Sequence, residues 1–276
     1  MNEIMTGGFA ARCSSFWPVR TIRVVDWNIE RGLKLPAIVD FLSAQNADVL
    51  VLQEVDVNAR RTARLNVAEE IARSLGMNYV FGREFEELPE GSTSSPAYTG
   101  QATLSRWPLK NARLIRFRRQ SGFWHPRWYI PNARPFQTRL GGRIALVAEI
   151  RVPGRSLMVY NLHLESRGND DLRLMQLKEV LTDASQFPAW NPILVAGDVN
   201  FDTMQGSPAG AILEAGFSDA IGLHGAATTP RRGLFGAGRS IDRTLIRGPI
   251  RGSAGRISNW VQASDHYPLS LALEFI

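Results

Sequence analysis

Apolar runs of strand length that repeatedly end in Asp, Glu, Asn or His are the feature of this sequence that most limits its fold. Five runs each carry such a residue, and they begin near residues 21, 47, 156, 192 and 240. Two more such residues, Asp265 and His266, directly precede the final run, which begins at 267. Strands that converge at one rim of a sheet would bring these side chains together, where oxygen and nitrogen ligands can surround a divalent ion. The residues are Asn28, Glu54, His163, Asp198, Asn200, Asp242, Asp265 and His266.

The wider pattern predicts one domain of mixed strands and helices over residues 21–276, preceded by a flexible tail at 1–20. Apolar residues at three- and four-residue spacing predict helices at 35–45, 60–75 and 171–184. The segment 84–100 is acidic and then rich in Ser, Thr, Gly and Pro, which is typical of a loop. Strands are predicted at 21–28, 47–54, 101–105, 143–152, 156–164, 192–197, 240–247 and 267–275.

Composition removes several classes of protein. No apolar run reaches the roughly 18–20 residues that a membrane span requires, and the first twenty residues do not resemble a signal peptide. The single cysteine, Cys13, excludes an internal disulfide framework and a zinc site built from cysteines. The net charge of +6 is compatible with a phosphate-rich partner. Composition favours a bacterial, cytoplasmic setting, and no obligate protein partner is implied.

Each polar residue also has a plainer interpretation. Glu54 closes an apolar strand, where an unpaired carboxylate is costly, so it either binds a cation or forms a salt bridge. Asp198 and Asn200 are two residues apart and point the same way if the chain is extended, but Asp-Asn pairs also form turns. The sequence Ser-Asp-His at 264–266 is also typical of a capping turn. Glu30 and Arg31 follow Asn28 closely enough to line the site, but a solvated turn is the favoured interpretation.

Taken in order, the short motifs resemble those of the endonuclease/exonuclease/phosphatase superfamily over about residues 21–276. The match implies an α+β fold, a four-layer αββα sandwich of two mostly antiparallel sheets flanked by helices. The run HLES, followed by Arg173 and Gln176, is most similar to the tyrosyl-DNA phosphodiesterase 2 branch. The motifs are DWNIERG (26–32), LQEV (52–55), TGQATLSRWPL (99–109), NLHLES (161–166), GDVN (197–200), SIDRTLIRG (240–248) and SDH (264–266).

The resemblance implies a Mg²⁺ or Mn²⁺ cofactor. Glu54 matches the principal metal-binding glutamate of the superfamily. Asn28 is implied as a neutral ligand or phosphate contact, and Asp265 as a further ligand or supporting acid.

It also implies the catalytic groups. His266 is the general base that activates water, because a neutral imidazole can accept a proton near neutral pH. Asp242 orients His266, while Asp198 and Asn200 orient the water and the scissile phosphate. A second metal contact and a proton acceptor are alternative roles for Asp198. His163 donates to a non-bridging phosphate oxygen. The expected reaction is divalent-metal-dependent hydrolysis of phosphodiester bonds.

The segment 113–139 bears on the substrate, because it interleaves seven arginines with aromatic residues. Basic groups beside stacking faces suit nucleic acid, although the same mixture suits an anionic membrane, or two paired strands with the aromatic residues in the core. DNA is the expected substrate, and a phospholipid or a small phosphoester is the alternative. A binding module without catalysis is less favoured, because the catalytic set is intact. The predicted substrate contacts are Arg118, Arg119, Trp124, Arg127 and Trp128.

Overall fold

The computed structural model describes residues 3–11, 17–124, 136–222, 225–231 and 237–276. Fourteen strands and four α-helices are assigned within these ranges. The helices are α1 (Leu35–Gln45), α2 (Val67–Leu75), α3 (Asp170–Ala184) and α4 (Gly206–Glu214).

The first sheet has eight strands in the order β1-β4-β5-β3-β2-β14-β13, with β7 paired to β4. Its central pair, β2 and β3, is parallel, and every other pair within it is antiparallel. The strands are β1 (Ile4–Gly8), β2 (Thr21–Arg31), β3 (Val49–Val57), β4 (Asn78–Glu87), β5 (Tyr98–Ser105), β7 (Arg139–Gly141), β13 (Ile250–Ile257) and β14 (Leu269–Phe275).

The second sheet has six strands in the order β11-β12-β10-β9-β8-β6. Only β9 and β10 are parallel, and α3 connects them. A crossover helix is the usual link between parallel neighbours. The strands are β6 (Leu109–Arg116), β8 (Ile144–Val152), β9 (Arg155–His163), β10 (Ile193–Asp198), β11 (Ser218–Asp219) and β12 (Asp242–Arg247).

Three hydrophobic clusters show how the layers stack. One cluster lies between the sheets, where Val24 and Val51 of the first meet Val159 and Leu194 of the second. Another joins α1 and α2 to the outer face of the first sheet. The third joins α3 and α4 to the outer face of the second sheet. The order helix, sheet, sheet, helix confirms the predicted αββα sandwich.

Several local predictions were wrong. Residues 4–8 form β1, which pairs with β4, so this part of the expected flexible tail belongs to the first sheet. Strand β4 runs as far as Glu87, into the segment predicted as a loop, and there Glu84 pairs with Arg143 and Glu87 with Arg139. The helix predicted over 60–75 begins only at Val67, after a short 3₁₀ turn at Arg60–Thr62. Asn66 caps α2 by accepting a hydrogen bond from the backbone N–H of Glu69.

Hydropathy agrees with this arrangement of short helices. No helix within the described ranges has both the length and the apolar character needed to cross a bilayer.

Candidate active site

Strand register aligns three of the predicted site residues in the second sheet. Asp198, the last residue of β10, pairs with His163 at the end of β9 on one side. On its other side Asp198 pairs with Asp242, the first residue of β12. Residues that are paired directly across neighbouring strands share a face of the sheet. The two carboxyl groups and the imidazole therefore lie in one row, and all three residues are buried.

The first sheet supplies Asn28 and Glu54 at the same rim. Asn28 on β2 pairs with Gln53 on β3, so Glu54 directly follows the partner of Asn28. The side-chain amide of Asn28 donates to Asp198 Oδ2 at 3.2 Å, which ties the two sheets together at the site. Glu54 has a φ of 50°, and the pairing of β3 shifts register around it. A non-glycine residue in this backbone region is uncommon and is often found at functional sites.

His266 bridges the two sheets. Its Nδ1 lies 2.9 and 3.0 Å from the two carboxylate oxygens of Asp242, and its Nε2 lies 3.6 Å from Asp198 Oδ2. The indole N–H of Trp27 donates to the backbone carbonyl of His266 at 2.8 Å. The Ser264 hydroxyl donates to the carbonyl of Asn28 and accepts from the His266 N–H. The Ser-Asp-His turn therefore holds the imidazole in place between Asp242 and Asp198.

The charge state of His266 differs from the sequence-based expectation. Burial lowers the pKa of the imidazole, but Asp242 and then Asp198 outweigh it and raise the pKa of His266 to about 10. Asp265 adds to this rise. Without a cation at the site, His266 is therefore an imidazolium at neutral pH, whereas a general base must be neutral. Burial likewise raises the pKa of Asp198, although His266 opposes that rise.

Asp198 and Asn200 form a turn as well as part of the site. The backbone N–H of Asn200 donates to Asp198 Oδ1 at 2.9 Å, and the Asn200 amide donates to the carbonyl of Leu164 at 3.1 Å. Asn200 has a φ of 59°, which asparagine tolerates better than most residues. The turn holds Asn200 at the end of β10, close to the segment that follows His163.

His163 has a neighbour that the sequence analysis missed. Its Nδ1 lies 3.6 Å from Glu84 Oε2, and its Nε2 lies 3.6 Å from Asp198 Oδ2. Glu84 also accepts a 2.7 Å hydrogen bond from Arg143, whose other terminal nitrogen donates to Ser166. Burial raises the pKa of Glu84, but Arg143 and His163 outweigh it and lower that pKa. An ionised carboxylate thus faces the Nδ1 edge of His163.

Glu54 has the chemistry of a cation ligand. Burial opposes its ionisation, but Arg31, then His163 and Arg143, outweigh burial and lower the pKa of Glu54 to about 2. Asn28 accepts one hydrogen bond at Oδ1, from the Glu30 N–H, so a second lone pair remains. An ionised carboxylate beside an amide oxygen fits Mg²⁺ or Mn²⁺.

A second group of ligand atoms lies at the same rim. Asp198, Asp242 and His266 offer ligand atoms that all lie within 4.8 Å of one another. They form the one group of at least three acidic, histidine or cysteine residues with this spacing in the described part of the chain. The row formed by the second sheet is thus a possible metal site in its own right.

The predicted substrate contacts have separate outcomes. Trp124 is only 7% exposed, and its ring packs edge-on against Phe85 with the Arg139 guanidinium over it. The prediction that Trp124 stacks on substrate is therefore wrong, because the indole belongs to the protein interior. Arg127 and Trp128 lie outside the described residues.

Arg118 and Arg119 lie on an open groove of about 610 Å³ between the end of β6 and α3. Glu179 accepts from the backbone N–H of Arg118, and Gln176 donates to the carbonyl of Arg119. These contacts fix the backbone and leave both arginine side chains at the groove.

Sequence and structure comparisons show which family the chain belongs to. A profile described as the Endonuclease/Exonuclease/phosphatase family matches residues 27–266. The chain belongs to this family. Its members are hydrolases of phosphoesters and typically depend on a divalent metal. No curated protein matches the sequence.

Solved structures of the family share the fold. The chain is similar to an endonuclease/exonuclease/phosphatase from Beutenbergia cavernae DSM 12333, with TM-score 0.67 and 21% identity over 93% of this chain and 72% of that one. A humanised D. rerio TDP2 gives TM-score 0.63 and 16% identity over 92% and 99% of the two chains. The protein SmcL gives 0.62 and 15% over 92% and 99%.

Proposed function

We propose that the protein is a divalent-metal-dependent phosphodiesterase whose substrate is DNA. The observation that carries the proposal is the position of His266, between Asp242 at 2.9 Å and Asp198 at 3.6 Å. One ring nitrogen is held by a carboxylate, which leaves Nε2 to exchange a proton at the site. Membership of a phosphoester hydrolase family makes water the nucleophile.

Each residue then has a definable task. Asp242 fixes the imidazole through Nδ1, so Nε2 is the atom that accepts the proton of the attacking water. His163 and the second N–H of the Asn200 amide donate to phosphoryl oxygens, where negative charge increases in the transition state. A bound Mg²⁺ or Mn²⁺ would offset charge on the phosphate and on the leaving oxygen.

Glu54 and Asn28 would hold this ion. In this proposal Asp265 supports the site by its charge, which also acts on His266. Positive charge near Asp198 weakens the field that keeps His266 protonated, so ion binding favours the neutral base that the reaction needs.

DNA is favoured as substrate by the basic groove. Four basic residues line it against two acidic ones, Glu179 and Asp183, and the whole chain carries a net charge of +6. The basic residues are Arg116, Arg118, Arg119 and Lys178. Phosphate contacts from arginine supply much of the affinity of DNA-binding proteins.

A phospholipid is the second candidate, and one observation favours it. Trp260 is 67% exposed, lies four residues before Ser264 in the sequence, and packs edge-on against Phe41 of α1. An exposed tryptophan of this kind suits the headgroup level of a membrane.

The deciding experiment measures cleavage of supercoiled plasmid, a single-stranded oligonucleotide and phosphatidylcholine or sphingomyelin vesicles. Each substrate is tested with Mg²⁺, with Mn²⁺ and with EDTA. The control is Arg251→Gln, because Arg251 pairs with Glu274 at the end of β14 far from His266. Metal-dependent cutting of DNA that is lost in His266→Ala supports the proposal. Cleavage of vesicles alone would replace DNA with lipid, and no metal-dependent cleavage of any substrate would contradict the proposed reaction.

A further inference from the structure

The backbone holds Arg31 rigidly at the end of β2. Glu30, Arg31 and Gly32 have successive φ values of 46°, 66° and 81°, so three residues in a row are left-handed. A Cβ at Gly32 would lie 2.7 Å from Val67 Cγ1, so the turn lies directly against α2. Side chains rarely adopt this conformation without a compensating role. The expectation of a solvated turn at Glu30 and Arg31 is wrong for Arg31, whose side chain is only 27% exposed.

The Arg31 guanidinium is poorly satisfied. Its Nη2 lies 3.4 Å from Glu54 Oε2, which is a loose ion pair. Its Nε is buried and has no hydrogen-bond partner among the described residues. The Nε atoms of Arg139 and Arg143 are buried without a partner in the same way, so the feature that distinguishes Arg31 is its loose pair with Glu54.

Neighbouring arginines differ from Arg31 in their partners. Arg143 pairs with Glu84, and Arg139 pairs with Glu87. Neither carboxylate is a proposed metal ligand, so ion binding would leave both pairs intact. Arg31, in contrast, forms one ion pair within the described part of the chain, and its partner is Glu54, the principal proposed metal ligand.

We propose that Arg31 is a phosphate-binding residue that becomes available when a divalent cation binds Glu54. Glu54 would hold the cation, which would offset the carboxylate charge, and the Arg31 guanidinium would then donate to a non-bridging oxygen of the substrate phosphate. Arginine suits this exchange because its planar fork can donate two parallel hydrogen bonds to one phosphate. Cation and phosphate should therefore bind cooperatively through Arg31. This inference rests on the proposed function and assigns it a specific phosphate contact.

The test measures binding rather than turnover. Inorganic phosphate is titrated by calorimetry into the whole protein with EDTA and with saturating Mg²⁺, and the ratio of the two Kd values gives the coupling. For the unmodified protein we expect at least about tenfold tighter phosphate binding with Mg²⁺, within the usual range of coupling between sites. Arg31→Gln should lose most of this ratio, while its affinity for Mg²⁺ alone stays equal or becomes tighter.

A second variant should show the reciprocal effect. Glu54→Gln removes the competing carboxylate, so it should bind phosphate in EDTA more tightly than the unmodified protein does. Adding Arg31→Gln to Glu54→Gln should abolish that gain. Arg251→Gln is the matched control and should retain the original coupling. Melting curves accompany each variant, and Arg31→Lys replaces Arg31→Gln if the latter is unfolded, with a smaller loss expected.

Two results would overturn the inference. One is full coupling in Arg31→Gln, which would mean that phosphate contacts the metal alone. The other is weaker Mg²⁺ binding in Arg31→Gln, which would make Arg31 a support for Glu54 instead of its competitor. Neither result bears on whether the protein cleaves DNA, and absence of DNA cleavage would leave the coupling measurable.

Discussion

The Asp242 carboxylate accepts from Nδ1 of His266 with both oxygens, at 2.9 and 3.0 Å. Asp242 begins β12 in the second sheet, while His266 lies three residues before β14 in the first. Their contact therefore joins the two sheets at the site and sets which imidazole nitrogen faces Asp198. Catalytic geometry in this protein depends on how the two sheets stack, as well as on local sequence.

Removal of either member of this pair should impair hydrolysis. His266→Ala is expected to lower kcat by roughly 10²–10⁴-fold, the usual contribution of a general base. Asp242→Asn should lower it by less, and the double variant should be no worse than His266→Ala, because the two residues act through one proton transfer. Steady-state cleavage measures the effect, and circular dichroism checks the fold. Additive losses would show that the residues act separately.

The proton on His266 can be observed directly. Because Asp242 and Asp198 raise its pKa to about 10, the imidazole should stay protonated at pH 7.5 in EDTA. Asp242→Asn removes the carboxylate with the larger effect and should lower the pKa of His266. Titration of the ring nitrogens by NMR would measure both. An imidazole that is already neutral at pH 7.5 without metal would contradict the proposed electrostatics.

The same proton affects stability. The pKa of His266 is higher in the folded protein than the ordinary histidine value of about 6.5. Its stabilising contribution is therefore complete below about pH 6.5 and is lost as the pH rises through about 10. Urea unfolding should show that the difference in free energy of unfolding between the unmodified protein and His266→Ala decreases over this pH range. A difference that increases with pH would mean that protonation of His266 destabilises the folded protein, which would contradict this prediction.

The strand-end motifs could be predicted because each one is local. Asn28, Glu54 and Asp198 lie at or near the ends of apolar runs that are legible in the sequence itself. Glu84 could not be predicted, because its partners are Arg143, just before β8, and His163, at the end of β9, and only the folded chain brings them together. The prediction that Trp124 contacts the substrate was wrong for a related reason. An aromatic residue among arginines can lie either at the surface or in the core. Its contact with Phe85 decides for the core.

Glu84 should matter for stability as well as for His163. Glu84→Gln leaves Arg143 buried without its charged partner, and breaking a buried pair in this way typically costs about 3–5 kcal/mol. Glu84→Gln combined with Arg143→Met should recover much of that loss, because no uncompensated charge remains. Urea denaturation measures both variants. Equal stability of Glu84→Gln and the unmodified protein would show that the pair is solvated.

Recovery of stability should not restore activity. The double variant still lacks the carboxylate that faces His163 Nδ1, so we expect its kcat to remain low. This separates the positioning role of Glu84 from its role in the fold. Near-normal kcat in the stable double variant would remove Glu84 from the site.

The groove prediction concerns salt dependence. If Arg118 and Arg119 each contact a phosphate of duplex DNA, their replacement by Ala should reduce the slope of log K against log salt by about 1.8, since each contact contributes about 0.9. Fluorescence anisotropy over a range of NaCl concentrations measures the slope. Arg73→Ala with Arg251→Ala is the matched control, because both arginines are exposed and pair with carboxylates elsewhere. An unchanged slope in the groove variant would exclude these contacts.

Asp26 should affect the pH dependence of stability in the opposite direction to a carboxylate that is paired with an arginine. Burial, and then the charges of Asp242 and Asp198, raise its pKa well above the ordinary value. The folded state therefore binds more protons than the unfolded chain, and Asp26 costs stability as the pH rises above about 4.

Asp26→Asn keeps the shape of the side chain and can still accept from the Gln53 amide, which donates to Asp26 Oδ1 at 2.9 Å. Its stability relative to the unmodified protein should therefore increase from pH 4 to pH 7, as measured by urea unfolding. Glu84→Gln is the comparison, because Arg143 and His163 outweigh burial and lower the pKa of Glu84, and that variant should lose stability at neutral pH. A loss of stability at pH 7 in Asp26→Asn would show that Asp26 is ionised and stabilised by its neighbours.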